Sequence, residues 1–271
     1  MLIIADTLAD ATKEILDNLV NNYQYITAPR GQKIKEIIGM QIEIKNPYSN
    51  RFRNKVQDLP IQYLADELYL YFSGSNSAED FSKASKFWNK IKNEDGTINS
   101  AYGYLIFNKN LELYPLSQWD WAKQSLIKDK DSRQAIIHYN KPIHQQMNNK
   151  DFVCTMNNQF FIRNNKLEMI TYIRSNDIRR GFFFDSVWFM LLMQCMRIEL
   201  LEYYPDLELG SYHHYAGSMH LYEEHFELAE YMLKEDFYPD YLPEIKQLPY
   251  ISMDPSNDLF CEWINNNRKV S

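Results

Sequence analysis

Apolar and polar positions change period several times along the chain. Between residues 8 and 22, Ile15, Leu16, Leu19 and Val20 recur at helical spacing and predict an amphipathic helix. From Lys33 to Ile44 the period falls to two, with Ile38, Met40, Ile42 and Ile44 alternating against polar neighbours, which predicts a strand. Pro47-Tyr-Ser-Asn-Arg51 reads as a loop. Helical spacing returns from Ile61 to Phe72 and stops at Ser73-Gly74, the expected form of a C-cap. Another helix is predicted from Ser77 to Lys92, ending before Asp95-Gly96, and Ser117 is placed to cap one running to Lys128.

Strands dominate afterwards. They are predicted at Gln134 to Tyr139, at Thr155 to Ile162, and at Leu167 to Ile173, the last two joined by Asn164-Asn165, a pair that tolerates the positive φ of a tight turn. Asp185 reads as the N-cap of a long helix to Leu201, with Val187, Trp188, Leu191, Leu192 and Cys195 as core positions. A strand over Tyr212 to Gly217 leads into His220-Leu-Tyr222 and a helix through Leu233, and irregular structure is expected beyond Asp236. With no internal repeat or low-complexity linker, the pattern predicts one α+β domain over residues 1–271, its mixed strands covered by helices.

Composition narrows the classes. The 45% hydrophobic and 15% aromatic content of 271 residues is ample for a packed core. A net charge of −7 argues against a protein that coats nucleic acid, because phosphate neutralisation needs a basic face. Three cysteines without CxxC spacing suggest neither a zinc site nor a disulfide framework, so no metal is expected and a reducing cytoplasm fits best. The start of the chain lacks signal-peptide character, and the apolar run Phe182 to Met196 is interrupted and short for a bilayer span, so no membrane is expected as a partner.

Candidate chemistry centres on Cys154, in Asp151-Phe-Val-Cys-Thr-Met-Asn-Asn-Gln159. A lone cysteine in a strand is usually an inert core residue; what sets this one apart is its company. Tyr172-Ile-Arg-Ser-Asn-Asp177 follows, then Gly181-Phe-Phe-Phe-Asp185. A thiolate is the softest nucleophile a protein has at neutral pH, and it needs a nearby cation, for which Arg174, across the predicted hairpin, is the candidate.

This order of thiol, arginine and carboxylate resembles the thymidylate synthase family, and within it the phage deoxycytidylate hydroxymethylases. The resemblance runs collinearly over residues 30–235 and leaves 236–271 as a C-terminal extension. It implies a thymidylate synthase-like fold, a pyrimidine nucleoside monophosphate and methylenetetrahydrofolate as substrates, and a homodimer with shared active sites. Cys154 matches the nucleophile that adds to ring carbon 6, and Gln159 matches the glutamine five residues on. Glu67, in Ala-Asp-Glu-Leu-Tyr-Leu-Tyr-Phe, resembles the helical glutamate that orders water and moves protons. Trp88, Asp177 and Gly181 fall on the folate side, and Tyr102-Gly103 resembles the family's Tyr-Gly.

Arg174 and Ser175 match phosphate ligands within the subunit, and Arg30 lies near the mobile phosphate-binding loop. Asp131-Ser-Arg133 resembles the segment whose arginines reach a partner's nucleotide. Gln134 stands where a second arginine is usual, replacing charge-assisted bonds by neutral ones. In Gly217-Ser-Met-His220-Leu-Tyr222, His220 and Tyr222 match residues that hold the sugar 3′-hydroxyl. Thr155 replaces the histidine common after the synthase cysteine, and the synthase's closing tail is not recognisable in Cys261 to Ser271.

The informative departure is Asp185, where the synthase has asparagine. Asparagine can donate to a uracil carbonyl and accept from its ring N–H, whereas cytosine presents an amino donor and an unprotonated nitrogen. An aspartate accepts from that amino group; helix N-capping is the competing explanation. The resemblance therefore implies hydroxymethylation of dCMP at carbon 5. The alternatives are methylation of dUMP, hydroxymethylation of CMP, and a silent nucleotide-binding scaffold of the same fold.

Overall fold

A computed structural model describes residues 1–108, 116–256 and 258–270. In chain order the first elements are β1 (Leu2–Ala5), α1 (Leu8–Asn21), β2 (Tyr25–Thr27), β3 (Ile34–Ile44), β4 (Arg51–Arg53), α2 (Ile61–Ser73), α3 (Ala78–Ala84), α4 (Trp88–Ile91) and α5 (Tyr102–Phe107). They continue with α6 (Gln118–Lys128), β5 (Ile136–His138), β6 (Thr155–Arg163), β7 (Lys166–Ile173), β8 (Asn176–Asp177), α7 (Phe183–Leu200), β9 (Glu208–Tyr222), α8 (Phe226–Leu233), β10 (Tyr238–Asp240) and α9 (Leu259–Asn267). The chain divides into two compact units, one of Met1–Leu59, Lys166–Met193 and Glu208–Leu242, the other of Pro60–Asn165, Gln194–Leu207 and Pro243–Ser271.

The first unit is built on a mixed sheet. β3 pairs antiparallel with β9 from Ile34 opposite Tyr222 to Ile44 opposite Tyr212, while β1 runs parallel to β3 and β7 parallel to β9. Helix α1 covers this sheet with Leu8, Ile15, Leu16 and Leu19, all fully buried. Its start is fixed by a capping box in which Asp10 N–H donates to Thr7 Oγ1 and Thr7 N–H donates to the Asp10 carboxylate. The alternation along β3 breaks at Gly39, which has φ 67°: Ile37 and Met40 are buried, but Ile38 is 55% exposed. Ile38 is thus not the core residue that simple alternation predicts, because a positive φ shifts the side-chain phase.

In the second unit α2 is the hub, packed against α3, α5 and α9. It ends as expected at Gly74, in the left-handed conformation with φ 69°. Gly103 in α5 lies so close to α2 that an added Cβ would sit 1.6 Å from the Tyr71 carbonyl oxygen. β5 and β6 form an antiparallel ribbon, and Ser117 caps α6 by accepting from Asp120 N–H. After β6, Asn164 and Asn165 both take positive φ, 50° and 58°, the turn chemistry the Asn-Asn pair predicts.

Several elements depart from the sequence reading. The helix expected over 77–92 is two, since Ser85 is extended (φ −152°, ψ 131°) and its hydroxyl accepts from Phe87 N–H. The loop at 47–51 runs into β4, which pairs with β10, and the tail expected to be irregular holds α9, capped by Asp258. Asp185 is not an N-cap. Winding begins earlier, in a π-helical turn over Ile178–Phe182 capped by Asp177, whose carboxylate accepts from Arg180 N–H at 2.5 Å. That turn extends the apolar helix to Ile178–Leu200, long enough to cross a bilayer, but most of it is buried in the protein, with Val187, Trp188, Leu191, Leu192 and Cys195 in the core as expected.

Candidate active site

The candidate residues divide between the units. In the second, Cys154 sits at the bend leading into β6, partly buried, with its Sγ 4.0 Å from the Phe152 carbonyl oxygen. The next residue, Thr155, is fully buried and donates to the Tyr102 hydroxyl at 2.9 Å. Tyr102 stacks on Tyr71 with centroids 5.2 Å apart, and Tyr71 in turn donates to Glu67 Oε1. Tyr63, one turn before Glu67, donates to the same oxygen at 3.0 Å. Glu67 is 9% exposed, so a bridge of two stacked phenols connects the strand start beside the thiol to a carboxylate locked by two hydroxyls. The spacing of Tyr63, Glu67 and Tyr71 by four residues was the signal in the sequence for this clamp.

Trp88, at the start of α4, is buried and packs edge-on against Phe81 at 5.0 Å. Its indole Nε1 is buried with no hydrogen-bond partner among the described residues. Arg133 is exposed, and its carbonyl accepts from Gln159 Nε2 at 2.9 Å, so Gln159 is engaged with the segment that carries the arginine.

In the first unit the segment from Arg174 to Asp177 lies along the end of β9. The Arg174 carbonyl accepts from Ser218 N–H, and Asn176 and Asp177 pair with Met219 and His220. Gly217 permits this approach, since a Cβ there would lie 2.7 Å from the Arg174 carbonyl oxygen. Arg174 and Ser175 are partly buried. His220 is 5% exposed, stands edge-on to Tyr222 at 5.3 Å, and is held toward its neutral form by burial, against the attraction of the Asp177 carboxylate. Burial raises Asp177 above the usual carboxylate range, and its Oδ2 has no partner among the described residues. Arg180 covers the Tyr222 ring at 5.1 Å. Arg30 is exposed in a left-handed conformation, φ 53°, near enough for its charge to oppose protonation of His220.

Asp185, inside the first turn of α7, is joined to residues that the sequence reading did not single out. Its Oδ2 accepts from Asn176 Nδ2 at 2.8 Å; Asn176 Oδ1 lies 3.0 Å from His214 Nε2, and His214 Nδ1 lies 2.9 Å from the Tyr212 hydroxyl. Desolvation raises the Asp185 carboxyl to about 6, against the pull of the Asn176 amide. Burial lowers His214 to about 3, so it is neutral. Gly181 borders this chain, a Cβ there falling 2.5 Å from Asn176 Nδ2. Asn176 was visible inside Arg-Ser-Asn-Asp; nothing in the sequence distinguished His214 from its neighbour His213.

The comparisons with known proteins agree on the family and differ in the activity that each relative is named for. The family model described as thymidylate synthase matches residues 10–256. Deoxycytidylate 5-hydroxymethyltransferase of Enterobacteria phage T6 is 30% identical over 217 residues, covering 78% of this chain and 84% of that protein. Deoxyuridylate hydroxymethyltransferase of Bacillus phage SP01 is 29% identical over 207 residues, covering 73% of this chain and 52% of that protein. Thymidylate synthase of Bacillus atrophaeus is 29% identical over 195 residues, covering 69% and 83%. The solved structure of thermostable thymidylate synthase A from Bacillus subtilis shares the fold, with a TM-score of 0.69 at 20% identity over 90% of this chain and 91% of that one.

Proposed function

Because the chain belongs to the thymidylate synthase family, whose members transfer one carbon to a pyrimidine nucleotide, we propose that it is a deoxycytidylate 5-hydroxymethyltransferase. It would act in the cytoplasm as one catalytic domain, converting dCMP to 5-hydroxymethyl-dCMP. The observation that carries this reading is Asp185: a carboxylate, held through one oxygen by an amide N–H, at the position where the synthase pattern has asparagine. The hydroxymethyltransferase of phage T6, named for deoxycytidylate, supports it.

Each unit carries one orphaned buried atom at a position that the resemblance puts on the folate side: Asp177 Oδ2, an acceptor, in the first, and Trp88 Nε1, a donor, in the second. These two residues with Gly181 would hold methylenetetrahydrofolate, which supplies the one-carbon unit when bound. Cys154 adds to ring carbon 6 and makes carbon 5 nucleophilic; after carbon 5 has taken the one-carbon unit and lost its proton and water has added, the thiolate leaves carbon 6 and the ring double bond returns. Arg174 and Ser175, with Arg30 and a partner's Arg133, hold the phosphate, while His220 and Tyr222 hold the sugar hydroxyl. Asp185 accepts from the cytosine amino group and stabilises positive charge that develops on the ring. Glu67, fixed by Tyr63 and Tyr71, orders the water that completes the product and moves its protons.

The test is the mass of the product formed from dCMP, dUMP and CMP with methylenetetrahydrofolate. A hydroxymethyl group on dCMP, in preference to the other two, supports the proposal. A methyl group on dUMP would identify a synthase, and no turnover of any of them a silent scaffold.

A further inference from the structure

The chain of hydrogen bonds behind Asp185 has a direction. An ionised carboxylate can only accept, so Asn176 must turn its NH2 toward Asp185 Oδ2, which leaves its carbonyl oxygen facing His214. That oxygen needs a donor, so His214 carries its proton on Nε2 and presents a bare Nδ1 to Tyr212. Tyr212 then donates its hydroxyl proton, and its own oxygen takes a hydrogen bond from Thr171. Asn176, His214, Tyr212 and Thr171 are between 0% and 2% exposed, so the links are closed to bulk water. Asp185 has no other hydrogen bond among the described residues.

Resting on the reading that Asp185 faces the base, we propose that Asn176, His214 and Tyr212 are positioning residues that hold Asp185 as a pure acceptor, and so select a pyrimidine bearing an amino group over one bearing a carbonyl. The need for such a device is chemical. A carboxyl group that picks up a proton becomes a donor and would donate to a uracil carbonyl, erasing discrimination. Donation from Asn176 Nδ2 stabilises the charged carboxylate against its desolvation, and a proton on Oδ2 would face that N–H unless the amide flipped, the imidazole changed tautomer and the phenol reversed; with the relay fixed, the carboxylate stays charged and its Oδ1 is left to the base as an acceptor. The ring also has little room to reorient, because Phe182 stands edge-on to His214 at 5.0 Å. Gly181 keeps the amide unobstructed.

The measurement is the ratio of kcat/KM for dCMP to that for dUMP in competition, together with calorimetric binding of each nucleotide without folate. Asn176→Ala and His214→Leu are expected to lower the ratio roughly ten- to hundredfold, dUMP gaining as dCMP loses. Tyr212→Phe, the smallest change to packing, should lower it about three- to tenfold. His214→Gln is expected to keep the ratio within about threefold of wild type, because its amide donates from one end and accepts at the other. A merely structural role would lower both nucleotides together and leave the ratio alone. An unchanged ratio in folded Tyr212→Phe and His214→Leu, where Asp185→Asn does shift it, overturns the relay while leaving the base reading intact. An unchanged ratio in Asp185→Asn overturns both.

Discussion

The three cysteines occupy different environments, and only one suits a nucleophile. Cys195 is fully buried and its thiol is pushed far up by desolvation; Cys261 is buried beside Asp258 and pushed up to about 11. Cys154 is partly exposed at the start of a strand. Cys154→Ser is therefore expected to cut turnover by several orders of magnitude with dCMP binding retained, while Cys195→Ala and Cys261→Ala keep activity, as steady-state rates and calorimetry will measure. Asp185 makes a second prediction. Its carboxyl moves from 3.8 to about 6 on folding, so between those values the folded chain keeps a proton that the unfolded chain has released. Its contribution to stability is thus fully present below the lower value and is lost as pH rises through the higher one. Asp185→Asn removes this loss. Urea unfolding at about pH 4.5 and about pH 7.5 should show the variant gaining on wild type by on the order of 1–3 kcal/mol across the interval.

At the scale of elements, the approach of α5 to α2 is governed by one missing side chain. A Cβ on residue 103 would penetrate the Tyr71 carbonyl, which is helix backbone and cannot yield like a flexible side chain. Gly103→Ala should cost about 3 kcal/mol or more in urea unfolding, and the surviving folded fraction should show a lower kcat, because Tyr71 also holds Glu67. This Tyr-Gly pair was legible as a motif, but its physical reason, two helices in contact, was not. Periodicity and caps located α1, α2, α6, β3, β6 and β7, because those signals are local. They failed where a single residue redirects the chain: Ser85 splits a helix, Gly39 turns Ile38 outward, and the π turn at Ile178 moves a helix start away from Asp185. Cys154, Glu67, Arg174 and Asp185 stood out by residue type and spacing. His214 and Tyr212 did not, since they are linked to Asp185 only through the register of β9 against β7 and the hydrogen bonds of Asn176.

At the scale of the whole molecule, the first unit leaves an apolar sheet face uncovered. Leu2, opposite Gln41, is 60% exposed; Tyr215, opposite Gln41 on the other side, and its neighbour Tyr172 are 36% and 40% exposed. Ile4 and Ile38 are exposed as well, at 52% and 55%. Apolar surface gathered on one sheet face marks an association site, and a two-fold axis lets one such face cover its own copy. We infer that the chain dimerises and that Arg133, exposed on the second unit, completes the phosphate site of its partner. Neither Cys154→Ser nor Arg133→Ala should turn over dCMP well alone. In a mixed dimer, the subunit that lacks Arg133 keeps its own thiol and receives the arginine of the other, restoring one site of two. After full subunit exchange, half of the dimers are mixed, so activity should return to about one quarter of wild type. Sedimentation as a monomer at assay concentration, or no recovery when exchange is verified by mass-tagged subunits, would show that each chain works with its own residues alone.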